Sequence, residues 1–329
     1  MKKKFTQSYE EIISLENLLG AWKEFIKGQR GKQDVQLFRL SLMRNIFALH
    51  DDLVTMRYRH GPYHAFNIND PKPRSIHKAS VRDRLLHHSL YRMLYPFFAK
   101  NFITDSFSCQ RGKGTHKAVE KFRSYSLQVS KNNTTTCWVL KCDIKKFFAN
   151  IDHDILDDIL AAYISDPKIG RLIRNIIESF STHPRKGLPL GNLTSQLLVN
   201  IYMNEFDVFV KHRLRVKHYV RYADDFVLLS QDRRYLEKLL LKIGVFLSER
   251  LRLQLHPSKV SIEAFASGVD FLGWVHFPTH RVLRTVTKKR MFKNLAQNDS
   301  KNTLHSYLGL LKHGDTYVLQ KKISNPYES

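Results

Sequence analysis

The stretch Arg221-Tyr222-Ala223-Asp224-Asp225-Phe226-Val227-Leu228-Leu229 sets two adjacent carboxylates between two short apolar runs. Residues 218–222 and 226–230 read as β-strands, and the three residues between them give hairpin spacing without the usual turn glycine. An Asp-Asp turn alone is commonly a solvated loop. Here both flanks are apolar, and a third carboxylate, Asp143, closes another apolar run in Lys141-Cys142-Asp143-Ile144-Lys145-Lys146-Phe147-Phe148. Carboxylates at a hairpin tip beside one at the end of a neighbouring strand suit two Mg²⁺ ions about 4 Å apart, with positions left open for phosphate oxygens. The chemistry such a centre performs is in-line nucleotidyl transfer.

The charge agrees with a polyanionic partner. The chain has 329 residues, and its 54 Lys and Arg against 30 Asp and Glu leave +24 at neutral pH. A hydrophobic share of 43% excludes a disordered basic tail and points to a folded basic protein. No run of about 18 apolar residues is present to span a membrane. The start, Met-Lys-Lys-Lys-Phe-Thr-Gln, turns polar where a signal peptide needs its apolar segment, so a cytoplasmic protein is expected. Cys109, Cys137 and Cys142 are odd in number and lack a CxxC pair, which supports neither a disulfide framework nor a zinc site and suggests core residues. The sixteen histidines show no metal-binding spacing, and His87, His88 and His116 read as helix-face or RNA-backbone residues.

Outward from the hairpin, apolar periodicity predicts helices over 10–27, 85–95, 155–163, 170–180, 194–213 and 235–253, and a strand over 137–143. No internal repeat is visible. This order of elements implies an α+β fold with an antiparallel sheet covered by helices on one face. Residues 69–84 are rich in proline and basic groups, and Pro71 and Pro73 forbid a regular helix there. Between positions 281 and 322, ten Lys or Arg face two acids, Asp299 and Asp315, so the last piece reads as a small helical nucleic-acid grip.

Several segments carry a resemblance. Tyr222-Ala223-Asp224-Asp225 resembles the YxDD box of reverse transcriptases, and the segment from Asp143 resembles their first catalytic motif. RSIHKASVRDRLLHHSL and SFSCQRGKGTH are similar to fingers motifs of the group II intron-like branch. GLPLGNLTSQ resembles the loop and helix behind the nucleotide pocket, and LHPSK and VDFLGW the two motifs after the YxDD hairpin. Most reverse transcriptases have Gln-Gly and Ser-Pro in the pocket motif, whereas this chain has Leu190-Gly191 and Ser195-Gln196, which is similar to diversity-generating retroelements.

The resemblance implies a right-hand polymerase fold, α+β, with a helical N-terminal extension at 1–69, fingers and palm at 70–277, and a short basic helical thumb at 278–329. It implies RNA-directed DNA synthesis, with Asp143, the Ile144 carbonyl, Asp224 and Asp225 holding two Mg²⁺ ions, Mn²⁺ being able to substitute. Lys259 falls where relatives place a lysine near the departing pyrophosphate, as a general acid. Lys72 and Arg74 would meet the triphosphate, and Phe148, Leu190, Gly191 and Gln196 the nucleotide. A ring at Phe148 would collide with a ribose 2′-hydroxyl and so favour deoxynucleotides. Leu190 replaces a polar residue at the sugar, which implies lower fidelity. Arg82, Arg84, Tyr222, Phe271, Leu272 and Gly273 would contact primer and template. The implied partners are template RNA, the cDNA/RNA heteroduplex, dNTPs and a small basic accessory protein, with no membrane. Two other readings stand beside this one: a phage-defence reverse transcriptase, and a non-catalytic RNA-binding protein that keeps the fold.

Overall fold

Short helices capped by serine open the chain. Ser8 and Glu11 form a capping box on α1 (Tyr9–Ile13), and the Ser14 hydroxyl accepts from the Asn17 amide to start α2 (Leu15–Phe25). The single helix expected over 10–27 is therefore two, because a serine that caps the next turn leaves helical geometry itself, here at ψ 146. The computed structural model describes residues 3–69, 73–297 and 300–324. Lys72 and two acids, Asp70 and Asp299, lie outside them.

The elements continue in order: α3 (Gln33–Leu40), α4 (Leu42–Val54), β1 (His64–Ile68), β2 (Arg74–Lys78), α5 (Val81–Ala99), α6 (Thr115–Val129), β3 (Trp138–Asp143), α7 (His153–Ala161), α8 (Pro167–Glu178) and α9 (Leu193–Val208). Then come β4 (Tyr219–Tyr222), β5 (Asp225–Ser230), α10 (Arg233–Leu251), β6 (Ser261–Ala264), β7 (Val269–Phe271), β8 (Trp274–His276), β9 (Arg281–Leu283), α11 (Thr285–Gln297), α12 (Lys301–Leu311) and α13 (Tyr317–Ser324). Among the described residues the strands form three antiparallel sheets: β1-β2, β4-β5-β3-β6 and β7-β8-β9. Among the described residues no helix is long and apolar enough to cross a membrane.

The four-stranded sheet is covered on both faces, which corrects the expectation of one. Strand alternation splits its side chains. Leu140, Cys142, Phe226 and Leu228 join the large core with Tyr202 and Phe206 of α9 and Leu239 and Ile243 of α10. Val139, Val220, Val227 and Leu229 pack instead on Ala118, Phe122, Tyr125 and Val129 of α6. No helix was expected over residues 115–129, and without it the second face would be open. Two cysteines, Cys137 and Cys142, are buried as expected, but Cys109 is exposed.

The last three helices gather around Trp274, Leu283, Met291, Leu311 and Ile323. Trp274 is 2% exposed, and a methyl group added at Gly314 would come within 2.7 Å of its Cη2. Neither partner can withdraw from such an overlap. Gly314→Ala should cost about 1–3 kcal/mol and loosen this helical unit, read as earlier proteolysis near residues 312–316 and a lower melting temperature. An unchanged melting curve would show that Trp274 has room to turn.

Candidate active site

The carboxylates converge because strand register brings them together. Asp143 ends β3 and lies opposite Asp225, the first residue of β5. Tyr222 pairs with Asp225, so the hairpin loop is Ala223-Asp224 alone, one residue tighter than the sequence spacing suggested. Ala223 takes φ +55 at a loop position where a residue with a Cβ is strained. The segment after β3 is pinned to this loop, since the Ile144 amide donates to the Asp224 carbonyl at 3.2 Å. From the other side the His256 amide donates to the Asp143 carbonyl at 2.7 Å.

Lys259 is drawn into the same centre. Its Nζ lies 2.9 Å from both carboxylate oxygens of Asp143. The Asp225 carboxyl is pushed up to about 6, by burial first and then by Asp224 and Asp143, against the attraction of Lys141 and Lys259. Burial and the charge of Asp143 raise Asp224 as well, with Lys259 and Arg74 opposing. Among the described residues no three His, Cys, Asp or Glu side chains form a finished ion cage. The donor chemistry nevertheless fits a hard divalent ion: the oxygens are carboxylate, they repel one another, and one of them already attracts an ammonium group.

A carboxyl with a raised folded pKa favours the fold while it keeps its proton. That contribution fades as pH climbs from the ordinary carboxylate range through about 6, leaving mutual repulsion in the ion-free protein above it. Millimolar MgCl₂ should therefore raise the melting temperature clearly at about pH 7.5 and much less at about pH 5. Equal shifts at both would place the stabilising ion elsewhere.

The remaining residues named from the sequence fall into three groups. Arg74 begins β2 and is exposed, close enough to act on Asp224. The loop before α9 is hung on the same strand: the His77 amide donates to the Leu190 carbonyl at 3.0 Å, and Asn192 Nδ2 donates to the His77 carbonyl at 2.9 Å. Gly191 sits at φ +103, and a Cβ there would lie 2.8 Å from Ile76 Cγ2, so glycine lets loop and strand touch. Leu190 and Gln196 are half-buried. The same loop reaches β3's exit, since the Leu188 amide donates to the carbonyl of Phe148, which packs edge-on against Phe147.

In the second group, Phe271 is fully buried while Leu272 and Gly273 form the β7-β8 turn with φ +51 and +87. Leucine in that left-handed position is strained, and its side chain packs, as does that of Tyr222, against the buried cluster on the α6 face of the sheet, and also against the cluster of the last three helices. Tyr222 also accepts a hydrogen bond from Thr115 at 3.2 Å. The third group is tied into the fold. Arg82 pairs with Asp52 at 2.5 Å and lies 3.7 Å from Asp83, and Arg84 pairs with Asp34. The principal carboxylate partners of these two arginines are thus Asp52 and Asp34. His87 is not on a helix surface: it is 1% exposed, stacked on His60, and its pKa is pushed down to about 3, chiefly by burial.

Sequence reading missed Arg221 and Asp207. Arg221 is 1% exposed and meets Asp207 through Nε at 2.7 Å and Nη2 at 2.6 Å. Its Nη1 donates to the Ala223 carbonyl at 3.0 Å, and Nη2 to Ser106 Oγ at 3.0 Å. The strained hairpin loop is thus braced from beneath by a buried fork. A charge at an inward strand position was the available signal, but its partner on α9 was not legible.

The carboxylates thus gather at a hairpin of the antiparallel sheet. Residues 68–276 match the family described as reverse transcriptase (RNA-dependent DNA polymerase). The chain belongs to that family and is an RNA-directed DNA polymerase. It is similar to Protein YkfC of Escherichia coli, 24% identical over 80% of this chain and 78% of that protein. It is also similar to the group II intron-encoded protein LtrA of Lactococcus lactis subsp. cremoris, 23% identical over 68% of this chain and 47% of the relative. An uncharacterized 91 kDa protein in the cob intron of Schizosaccharomyces pombe is 29% identical over 40% of this chain and 16% of its own length. The chain thus spans less than half of the latter two.

Proposed function

We propose that this protein is the reverse transcriptase of a diversity-generating retroelement, copying a template RNA into cDNA with errors concentrated at adenine. Its working form is a right-hand polymerase in the cytoplasm. Residues 1–69 extend it, 70–277 form fingers and palm, and 278–329 form the thumb. Asp143, Asp224, Asp225 and the Ile144 carbonyl hold divalent ions, which when bound supply an ionised primer 3′-hydroxyl and charge neutralisation at phosphorus. Lys259, whose Nζ lies 2.9 Å from both oxygens of Asp143, would protonate the departing pyrophosphate. Arg74, with Lys72, holds the triphosphate; Phe148 excludes a 2′-hydroxyl; and the strained Leu272-Gly273 turn with Phe271 and Tyr222 positions the primer. A small basic accessory protein joins through the RNA.

The observation that carries the retroelement reading is Leu190. Its carbonyl is fixed by His77 on the strand that bears Arg74, yet its side chain offers the nucleotide no hydrogen bond. A site that lacks a polar check distinguishes aligned from misaligned substrates poorly. Leu190→Gln should restore one such bond, contributing on the order of 1 kcal/mol and lowering misincorporation opposite adenine about fivefold. Sequencing cDNA made by both proteins from one adenine-containing RNA reads the outcome. Identical error spectra would make Leu190 a packing residue and remove the support for this reading, whereas near-identical template and variable repeats beside the gene would strengthen it against a role in phage defence.

A further inference from the structure

Two adjoining cavities, of about 580 and 390 Å³, open along the outer side of α6 and share Arg123 in their walls. The first runs past Glu120, Gln128, Lys131 and Asn132; the second reaches Arg281, Lys312 and Asp315 between β9 and the turn after α12. No wall residue belongs to the carboxylate centre or to the nucleotide pocket.

Some arginines of this chain are tied to carboxylates. Arg82, Arg84, Arg92, Arg174, Arg221 and Arg284 each face a carboxylate. Among the described residues no carboxylate lies within ion-pair distance of Arg123, Lys131, Arg281 or Lys312. Arg281 is partly buried, and burial together with Arg123 depresses its pKa, with Glu120 opposing. It is held rigidly, donating through Nε to the His313 carbonyl and lying 5.4 Å over the Trp274 ring. Four cations thus line one concave surface against two acids, Glu120 and Asp315, which among the described residues make no ion pair with them, so positive charge is in excess there and favours an anion.

The far end of the groove is also fixed at a conformational cost. Lys131, Asn132 and Asn133 follow one another at φ 49, 57 and 67, a left-handed run that side chains avoid. It is held by the Asn132 amide donating to the Leu127 carbonyl at 2.8 Å and the Asn133 amide donating to Ser130 Oγ at 3.0 Å. This turn sets an ammonium group and an amide side by side at the cavity wall.

We infer that this groove is a second RNA-binding site, in which Lys131, Arg123, Arg281 and Lys312 take successive backbone phosphates of a strand flanking the copied stretch, while Asn132 and Gln128 meet its sugar and base polar groups. Guanidinium forks match phosphate oxygens, and the amides supply donors and acceptors that an acidic protein surface would not need. The inference rests on the chain copying RNA, and it adds a grip outside the template channel. Such a grip would keep one RNA bound while the copied segment moves through the centre.

The test uses full-length Arg123→Glu/Lys131→Glu protein, with Lys312→Glu as an independent variant in the second cavity. Lys242→Glu, on the exposed side of α10, controls for net charge. All are compared on a minimal RNA template with a DNA primer, and on the same duplex carrying a long structured RNA flank. The double variant should bind the flanked RNA about tenfold more weakly, with a salt slope shallower by roughly 1.4, about 0.7 per lost single-strand contact. Extension of the minimal duplex should be unchanged, and Lys312→Glu should show the same selective loss. Unchanged affinity for the flanked RNA, equal loss on both substrates, or an equal loss from Lys242→Glu would each overturn the second site. Failure of the unaltered protein to extend the minimal duplex would instead count against its reading as a polymerase.

Discussion

Purified Asp224→Asn protein should incorporate nucleotides at least about a thousandfold more slowly than the unaltered chain while holding RNA as tightly. The substitution keeps the shape of the hairpin loop, whose carbonyl accepts from the Ile144 amide, and removes one negative oxygen from the centre. If that oxygen holds a divalent ion that stabilises charge in the transition state, its loss costs on the order of 4 kcal/mol, and each 1.36 kcal/mol is a factor of ten in rate. Relief of repulsion works the other way on stability: the charge of Asp224 raises the proton affinity of Asp225, so the variant should melt slightly higher in the absence of Mg²⁺ at neutral pH. Slow chemistry with higher ion-free stability is the signature of a catalytic carboxylate. Full incorporation by the variant would remove Asp224 from the reaction, and a non-catalytic RNA-binding role would then gain ground.

The second large effect concerns Arg221. Arg221→Met should destabilise the protein by about 3–5 kcal/mol, since Asp207, with no exposed surface, is left as a buried charge without its cation. The double variant Arg221→Met/Asp207→Leu should recover much of that, because exchanging a whole buried pair for apolar groups is often near neutral. Recovery stays partial, as the Tyr219 hydroxyl loses the Asp207 oxygen to which it donates at 2.7 Å. Polymerase activity should not return with stability. The Ala223 carbonyl has lost its donor, so the loop bearing Asp224 is no longer held in its strained conformation. Thermal melts and single-turnover extension on the same three proteins separate the two effects. Restored activity in the double variant would show that the hairpin needs no brace.

Most of the carboxylate centre is legible in the sequence because it is written in local patterns. Apolar alternation on either side of Asp224 and Asp225 marks two strands, and Asp143 stands at the end of a third. What alternation cannot say is which strands are neighbours. The pairing of Asp143 with Asp225, and the capture of Asp143 by Lys259 from a loop more than a hundred residues away, are decided by register and by the path of the chain after α10. Helix α6 places Ala118, Phe122, Tyr125 and Val129 at helical spacing, so a helix there was legible; that its apolar face lies on the sheet was not. With it goes the second covered face of the sheet.

Residue type and near-neighbour spacing suffice for the α+β class, the carboxylates of strand and hairpin and the basic character, while the departure at Leu190 stands out only against the family that the sequence resembles. They do not reveal that Arg82 and Arg84 pair with Asp52 and Asp34, that Arg221 braces the hairpin through Asp207, or that Gly191 must be glycine because Ile76 lies against it. Those three facts exist only once the chain has folded. Periodicity records whether a side chain faces inward, whereas the partner that satisfies a charge or fills a van der Waals gap comes from a distant part of the chain, and long-range packing selects it.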